Sequence, residues 1–567
     1  MIDIIVRSLK GKMKRTILSC VALSAMILPL GVSAQEKVAT AGTPSTMMAS
    51  KGDWSTYGHD FTNQRFAELD QITPANASKM TTAFAVQTGV VAPFETTPIV
   101  SNGVMYLTTA YDHVLAVDAK TGKRLWAYQA KLGKTVFCCG PVNRGVAISE
   151  GKVLLGQLDG KLVALDQKTG SIVWSVQAGD NAAGYSLTHA PLVYKDMVIV
   201  GGAGGEYGIR GTVTAYNVAD GHKVWNWYAT DKAHWAGSFS PTTPDGINLH
   251  RDIAAEKAAF PKYADAWQKG GGAVWMTPAA DESRNMIYVA TGNPSPDLTG
   301  AIRPGDNLYT DSIVALDASS GEIKWYYQEI PHDVWDLDAV SPVVLFDTVD
   351  KDGKKVAAVG QAGKTGWFYE LNRDTGKFIR KSDAFVPQEN MFAQPTPGGT
   401  RMLPGANGGV DWSPVSYDPT NHIVIVSALH QPMNYANKDQ ALEKGALWLA
   451  GAFTSIPTEK QYGLVSGINV DTGKIVWQNK VDYPLLGGSV STSGGVTFVG
   501  ESNGFFDAFD TKTGKQLWQF NTGAGVNAAP MAYMIDGEEY VAVASGGSFQ
   551  IGTQYGNTLY VFHLPKS

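Results

Sequence analysis

A chain of 567 residues that is 44% hydrophobic can bury a large core, and length alone admits several domains. Its formal net charge of −6 is mild for that length and excludes the strongly basic footprint of a nucleic-acid binder. Only three cysteines are present and none lies in a Cys-x-x-Cys-His, which excludes a covalently attached c-type haem in this chain. Any redox activity must therefore pass its electrons to a separate partner.

In chain order, the first element is a leader. Arg7, Lys10, Lys12, Lys14 and Arg15 form a positive region, Ile17 to Leu30 is apolar, and Val32-Ser33-Ala34 places small residues before Gln35. This pattern predicts a secretory signal peptide over residues 1–34. The alternative, a membrane anchor, is disfavoured because the apolar run falls short of the ~20 residues that span a bilayer. Met13 serves equally well as a start, since Lys14 and Arg15 alone would supply the positive region. The mature chain, 35–567, then has no membrane span and keeps only Cys138 and Cys139, where export permits a disulfide.

From there one phrase recurs: an apolar alternation, a small turn with Gly, then Trp. It runs Ala116-Val117-Asp118 to Gly122 and Trp126, Ala164-Leu165-Asp166 to Gly170 and Trp174, and Ala215-Tyr216-Asn217 to Gly221 and Trp225. Further copies end at Trp325, Trp477 and Trp518, and a weaker one runs Leu371-Asn372 to Gly376. Self-similarity at a period of roughly 40–50 residues marks an array rather than independent domains. Short apolar segments such as Val153-Leu154-Leu155 and Met197 to Val200, bounded by Gly or Asp, read as strands, and no long amphipathic helix is evident. The expected fold is all-β: a single eight-bladed β-propeller of four short strands per blade, each Trp a structural peg between neighbouring blades. The spacing doubles between Trp225 and Trp325, and residues 229–272 read as an irregular insertion on one face. The ends, Trp54–Tyr57 and Tyr560–Phe562, are expected to share a blade and close the ring.

The residues that carry chemistry begin with Phe137-Cys138-Cys139-Gly140, followed by Asn143-Arg144-Gly145. Adjacent Cα atoms lie ~3.8 Å apart, below the usual disulfide span of ~4.4–6.8 Å, so a bond between them closes an unusual ring. Two reduced, buried thiols are the alternative. Further on, Asp336 and Asp338 lie two apart in His332-Asp333-Val334-Trp335-Asp336-Leu337-Asp338, so on a strand-like segment both point to the same side. Converging carboxylates repel unless a cation joins them.

From about Trp54 to Phe562 the chain resembles the quinoprotein alcohol dehydrogenases, the methanol and ethanol dehydrogenases that use pyrroloquinoline quinone (PQQ). The resemblance implies a Cys138–Cys139 disulfide over one face of the cofactor, Trp275 as the indole floor beneath it, and Arg144 on a cofactor carboxylate. It also implies Glu95 near the cofactor edge, Thr188 bonding to it, and the small turn Ala203, Gly204, Gly205 beside it. Lys364, Asp411 and Trp412 complete the implied cofactor contacts. Glu206, Asn293 and Asp336 match the metal set, joined here by Asp338, and Asp336 matches the catalytic base.

Departures from the family pattern are equally specific. Lys364 stands where methanol dehydrogenases carry Arg, Asp411-Trp412 replaces Asn-Trp, and Ala273 replaces a hydroxyl-bearing residue. Asp297 stands where those enzymes place a bulky Trp, which implies a roomier pocket and a natural substrate other than methanol. Asp338 adds one negative charge, which favours a trivalent lanthanide over calcium; pairing of Asp338 with a neighbouring cation or backbone N–H groups is the alternative. The expected activity is oxidation of a small alcohol in the periplasm, with a soluble cytochrome c as electron acceptor and a homodimer as a candidate assembly. Rival readings are a sugar or polyol dehydrogenase using the same cofactor, and a non-catalytic propeller scaffold.

Overall fold

The computed structural model describes residues 52–566, so the expected signal peptide lies outside the described residues. Among these, eight sheets each hold four antiparallel strands in succession, and a ninth sheet holds three. Strands Ile99–Ser101, Val104–Thr108, Val114–Asp118 and Arg124–Tyr128 form one such sheet in that spatial order. Middle strands such as Val114–Asp118 are buried on both faces and therefore read as unbroken apolar runs. Outermost strands alternate instead: Lys474–Val481 is exposed at every second residue.

The recurring phrase has a local explanation. Asp118 Oδ1 accepts the backbone N–H groups of Lys120 and Thr121, and the N–H of Gly122 returns to the Asp118 carbonyl at 2.8 Å. Gly122 has φ +71°, and the same turn is built at Asp166 to Gly170, where Gly170 has φ +72°. The glycine has a second duty. A Cβ on Gly170 would lie 2.5 Å from the indole of Trp126, which comes from the preceding sheet.

Each indole also donates its N–H across the gap between sheets, to the carbonyl three residues before the glycine. Trp126 donates to Gln167, Trp174 to Val218, Trp225 to Ala318, Trp325 to Arg373 and Trp477 to Thr511, all at 3.0–3.1 Å. The weak copy ending at Gly376 has no Trp on its outer strand, Phe378–Lys381; there Arg380 donates to the equivalent carbonyl of Val470 at 2.6 Å. Trp518 donates to Met80 at 3.2 Å, and Phe84 lies over Gly122 while Tyr533 donates to Ala119 at 2.7 Å. The series of docked sheets thus returns to the sheet at 99–128, where it began.

Three features differ from the sequence-based expectation. The strand that joins the two ends is Thr81–Gln87, antiparallel to Thr558–His563, whereas Trp54 bridges Val100 in the following sheet. Thr81–Gln87 lacks the Trp signal, because Phe84 fills that place. The three-stranded sheet Thr400–Met402, Met433–Asn437 and Gly451–Ser455 was not foreseen, since its strands are short, polar and paired across long loops. Phe66–Ala67 adds a fifth, parallel strand at Ser491 and Thr492. Between Lys223–Tyr228 and Ala279–Asp281 lie the α-helix Ile253–Ala259 and two 3-10 turns, without a strand.

Candidate functional site

One hydrogen-bonded circuit of loops draws the predicted residues together. Thr97 N–H donates to Arg144 O, and Arg144 N–H donates to Thr188 O. Ser186 and Ala203 exchange backbone bonds, Val274 N–H reaches Gly202 O, and Gly292 N–H reaches Ala273 O at 2.7 Å. Asn293 N–H then donates to Asp338 Oδ1 at 3.1 Å, Lys364 Nζ to the Asp336 carbonyl at 3.0 Å, and Gly409 N–H to Lys364 O at 2.7 Å. Gln550 Nε2 donates to Asp411 Oδ2 at 2.7 Å, and Ser548 Oγ to Glu95 Oε1 at 3.3 Å, which completes the circuit beside Thr97. Residues from seven of the eight repeats thus share one site, although only four of these links involve a side chain.

Arg144 is the anchor of one side. Its backbone is held between two strand ends, and the neighbouring Asn143 is fixed by Asp112 Oδ1 at 2.8 Å and Gly156 O at 2.9 Å. Its guanidinium lies 2.8 Å from Glu95 Oε2, off the direction of an aligned hydrogen bond, and 4.5 and 5.3 Å from the rings of Trp412 and Trp275. Burial pushes the Glu95 carboxyl up to about 7, against the lowering effect of Arg144. The Cys138–Cys139 disulfide is formed, with Cys138 half-buried and Cys139 exposed. Gly140 packs against Phe549 and Pro93, which seats the disulfide loop beside Glu95.

The other side is acidic around a single ammonium group. Lys364 Nζ, with 5% side-chain exposure, lies 3.6 Å from Asp336, 3.8 Å from Asp338 and 4.0 Å from Asp411. Burial alone would lower its pKa, but the three carboxylates raise it on balance, so it stays protonated. Burial, reinforced by Asp338, Asp297 and Glu206, raises the Asp336 carboxyl well above its usual range, with Lys364 opposing. Burial and then Asp338 push Glu206 to about 7, and burial raises Asp411 to about 6. Asp336 also adopts a left-handed backbone, φ +59°, which turns its side chain out of the run of its neighbours.

Asp338 is in contact with three protein groups. Its Oδ1 accepts from Asn293 N–H and its Oδ2 from the Trp275 indole at 3.2 Å, with Lys364 alongside. Gly204 has φ +104° and no room for a Cβ against the Gly184 carbonyl, so backbone packing accounts for that glycine. Asp297, whose small size the sequence reading took to enlarge the substrate pocket, is buried, and burial raises its carboxyl well above the usual range.

Two residues escaped the sequence reading. Gln550 clamps Asp411 and accepts the Trp412 indole N–H at 3.2 Å. His189 accepts the Gly201 N–H at 2.8 Å through Nε2, and burial lowers its pKa to about 4, so it is neutral and pins the turn that leads to Glu206. Neither belongs to a motif, and a lone Gln or His gives no local signal.

The donor set suits a polyanionic planar cofactor and a cation. Arg144 Nε, Thr188 Oγ1, Glu206 Oε2 and Asp411 Oδ1 are buried without hydrogen-bond partners, which buried polar atoms rarely tolerate. Glu206, Asp297, Asp336, Asp338 and Asp411 outnumber Lys364, leaving a deficit of positive charge. Among the described residues, no three carboxyl, imidazole or thiol groups form a self-contained ligand set, so the Asn293 amide and cofactor oxygens would have to complete the shell.

Comparison with known proteins agrees. Residues 54–389 and 452–541 match the PQQ family model described as glucose/ethanol/alcohol dehydrogenase, beta-propeller domain. The chain is 35% identical to the quinoprotein alcohol dehydrogenase PedH of Pseudomonas putida, over 90% of this chain and 91% of that one. It is 33% identical to the quinohemoprotein alcohol dehydrogenase of Comamonas testosteroni, over 94% of this chain and 79% of the relative. A solved europium-containing methanol dehydrogenase superimposes with a TM-score of 0.80 at 30% identity, over 91% of this chain and 99% of that one. The chain belongs to the PQQ-dependent quinoprotein alcohol dehydrogenase family.

Proposed function

We propose that this protein oxidises small primary alcohols to aldehydes, with Asp336 as the base that takes the hydroxyl proton. The observation that carries the reading is the circuit around Lys364 and Arg144, whose unpartnered polar atoms belong to residues that the family resemblance assigns to cofactor and cation. When bound, PQQ supplies a two-electron acceptor and the cation supplies Lewis acidity. Arg144 would hold a cofactor carboxylate, Thr188 and Asp411 would bond its edge, and Trp275 and the Cys138–Cys139 ring would cover its faces. Glu95 and the Ala203-Gly204-Gly205 turn would border it, with Trp412 packing on Arg144. Glu206, Asn293 and Asp336 would hold the cation, with Asp338 adding charge; a lanthanide is preferred to calcium on that charge.

Asp336 is suited to its role because burial and neighbouring carboxylates raise its proton affinity, against the opposing charge of Lys364. Lys364, held by three carboxylates, presents a fixed ammonium to the site. The same reading takes the eight docked sheets as blades of one ring and residues 35–567 as one domain. It also takes residues 1–34 as a signal for export to the periplasm, a soluble cytochrome c as acceptor and a homodimer as the assembly. Support for a separate acceptor is the lack of Cys-x-x-Cys-His in the sequence.

The test is reconstitution of the purified protein with PQQ and calcium or lanthanum, then steady-state dye and cytochrome c reduction. Primary alcohols are expected to give kcat/KM at least tenfold above aldoses. A preference for aldoses would favour the sugar dehydrogenase reading, and absence of both quinone absorbance and dye reduction would favour a scaffold.

A further inference from the structure

Between the strands Glu538–Ser545 and Thr558–His563 the chain makes a compact turn. Ser548 N–H donates to Thr553 Oγ1 at 2.8 Å and Thr553 N–H returns to the Ser548 carbonyl at 3.3 Å, which closes the turn on itself. Thr553 Oγ1 donates in turn to Asn527 Oδ1 at 3.0 Å, and Gly547 N–H to the Gly525 carbonyl at 2.8 Å, so the base of the turn is tied to the preceding loop. Its tip reaches three parts of the site. Ser548 Oγ donates to Glu95, Phe549 packs over Gly140 of the disulfide loop, and Gln550 reaches Asp411 and Trp412.

The two partners of the Gln550 amide fix which way round it lies. Its Nε2 donates to Asp411 Oδ2 at 2.7 Å and its Oε1 accepts the Trp412 indole N–H at 3.2 Å. An indole N–H can only donate, so a reversed amide would set two donors against each other. This pairing sorts the two oxygens of Asp411. With Oδ2 taken, Oδ1 is the atom left without a hydrogen-bond partner, and it is the one 4.0 Å from Lys364 Nζ. The same amide holds the Trp412 indole by its N–H, and the ring of that indole lies 4.5 Å from the Arg144 guanidinium. One neutral side chain thus sets both the acceptor beside Lys364 and the aromatic surface against Arg144.

We infer that Gln550 is a positioning residue of the cofactor pocket, acting through Asp411 and Trp412 rather than by touching the reacting atoms. The inference rests on the PQQ reading of the site. Its physical basis is preorganisation: a carboxylate free to turn about its side-chain torsions must be fixed when the cofactor binds, and that ordering weakens binding. Gln550 fixes it beforehand. The contact adds little to the stability of the fold, because Gln550 is only half-buried and its neighbour Phe549 is 57% exposed.

The test is equilibrium dialysis of the full chain against PQQ in excess lanthanum, with bound quinone read by absorbance, for the parent and three variants. Gln550→Met keeps the length of the side chain and removes both hydrogen bonds, so it is expected to raise the PQQ Kd about tenfold. Its cofactor-free form should melt within about 5 °C of the parent. Gln550→Glu sets a second carboxyl against Asp411 and is expected to raise the Kd by at least about 30-fold. Combining Gln550→Glu with Asp411→Asn exchanges donor and acceptor: the new amide donates to the new carboxylate, the indole N–H keeps its acceptor, and an oxygen again faces Lys364. That double variant is expected to bind PQQ within about threefold of the parent, a recovery that a residue merely filling the turn would not give. If Gln550→Glu fails to fold, the recovery is read against Gln550→Met instead. A Kd within about twofold of the parent in Gln550→Met, a larger fall in its melting temperature, or a double variant that shows no recovery overturns the inference and leaves the dehydrogenase reading standing. Failure of the parent to bind PQQ overturns both.

Discussion

At the scale of single residues, the site works by crowding carboxylates around few cations, and two substitutions probe the consequences. Asp336→Asn preserves shape but cannot accept a hydroxyl proton, so turnover should fall by about 10²–10⁴-fold with an unchanged melting curve. Turnover within a few-fold of the parent would remove Asp336 from its role. Away from the site, Glu539 accepts the N–H groups of Gln71 and Ile72 through one oxygen and leaves the other unpartnered, and burial raises its carboxyl to about 7. The folded state then holds more protons than the unfolded chain between about pH 4.5 and 7, so Glu539 lowers stability as pH rises through that window. Glu539→Gln keeps an acceptor for both N–H groups and cannot ionise. Its melting temperature should match the parent near pH 4.5 and exceed it at pH 8, and a lower value at pH 8 would contradict the assignment.

At the scale of elements, the docking of one sheet on the next depends on a glycine beneath an indole. Gly170→Ala meets both a positive φ and the ring of Trp126 at 2.5 Å, so it should cost about 2–4 kcal/mol in urea unfolding. A cost below about 0.5 kcal/mol would show that the contact is slack. The disulfide loop behaves differently, because a bond between adjacent residues closes almost no unfolded-chain loop. Cys138→Ala with Cys139→Ala should leave the melting temperature of the cofactor-free protein within a few degrees while weakening PQQ binding by at least about tenfold, read by quinone absorbance. A large loss of stability would make the pair a staple rather than a lid.

At the scale of the whole molecule, stability rests on a strand contributed from the far end of the chain. Thr558–His563 lies between Thr81–Gln87 and Glu538–Ser545 in its sheet, pairing with both. Truncation after Asn557 therefore removes a middle strand and frees the Phe84 contact with Gly122 in the sheet at 99–128. The expected result is loss of the cooperative melting transition rather than a small shift. A truncated protein that melts within about 5 °C of the parent would show that the two ends are not mutually dependent.

Much of this was written locally. The turn from Asp166 to Gly170 and the pair Cys138-Cys139 each depend on residues close in sequence, and the Trp recurs at a regular spacing, so spacing and side-chain chemistry alone pointed to repeated sheets and to the loops that carry the site. The family motifs assign roles to Arg144, Glu206, Asn293 and Asp336 from the sequence alone. Tertiary structure decided what depends on packing between distant segments: the joining strand at Thr81–Gln87, the three-stranded sheet, the clamp of Gln550 on Asp411, and the occupation of both Asp338 oxygens. Asp297 shows the division clearly. Its identity was visible in the sequence, but its burial, and the commitment of Arg303 beside it to backbone carbonyls and Asn307, come from packing between segments and have no local signature.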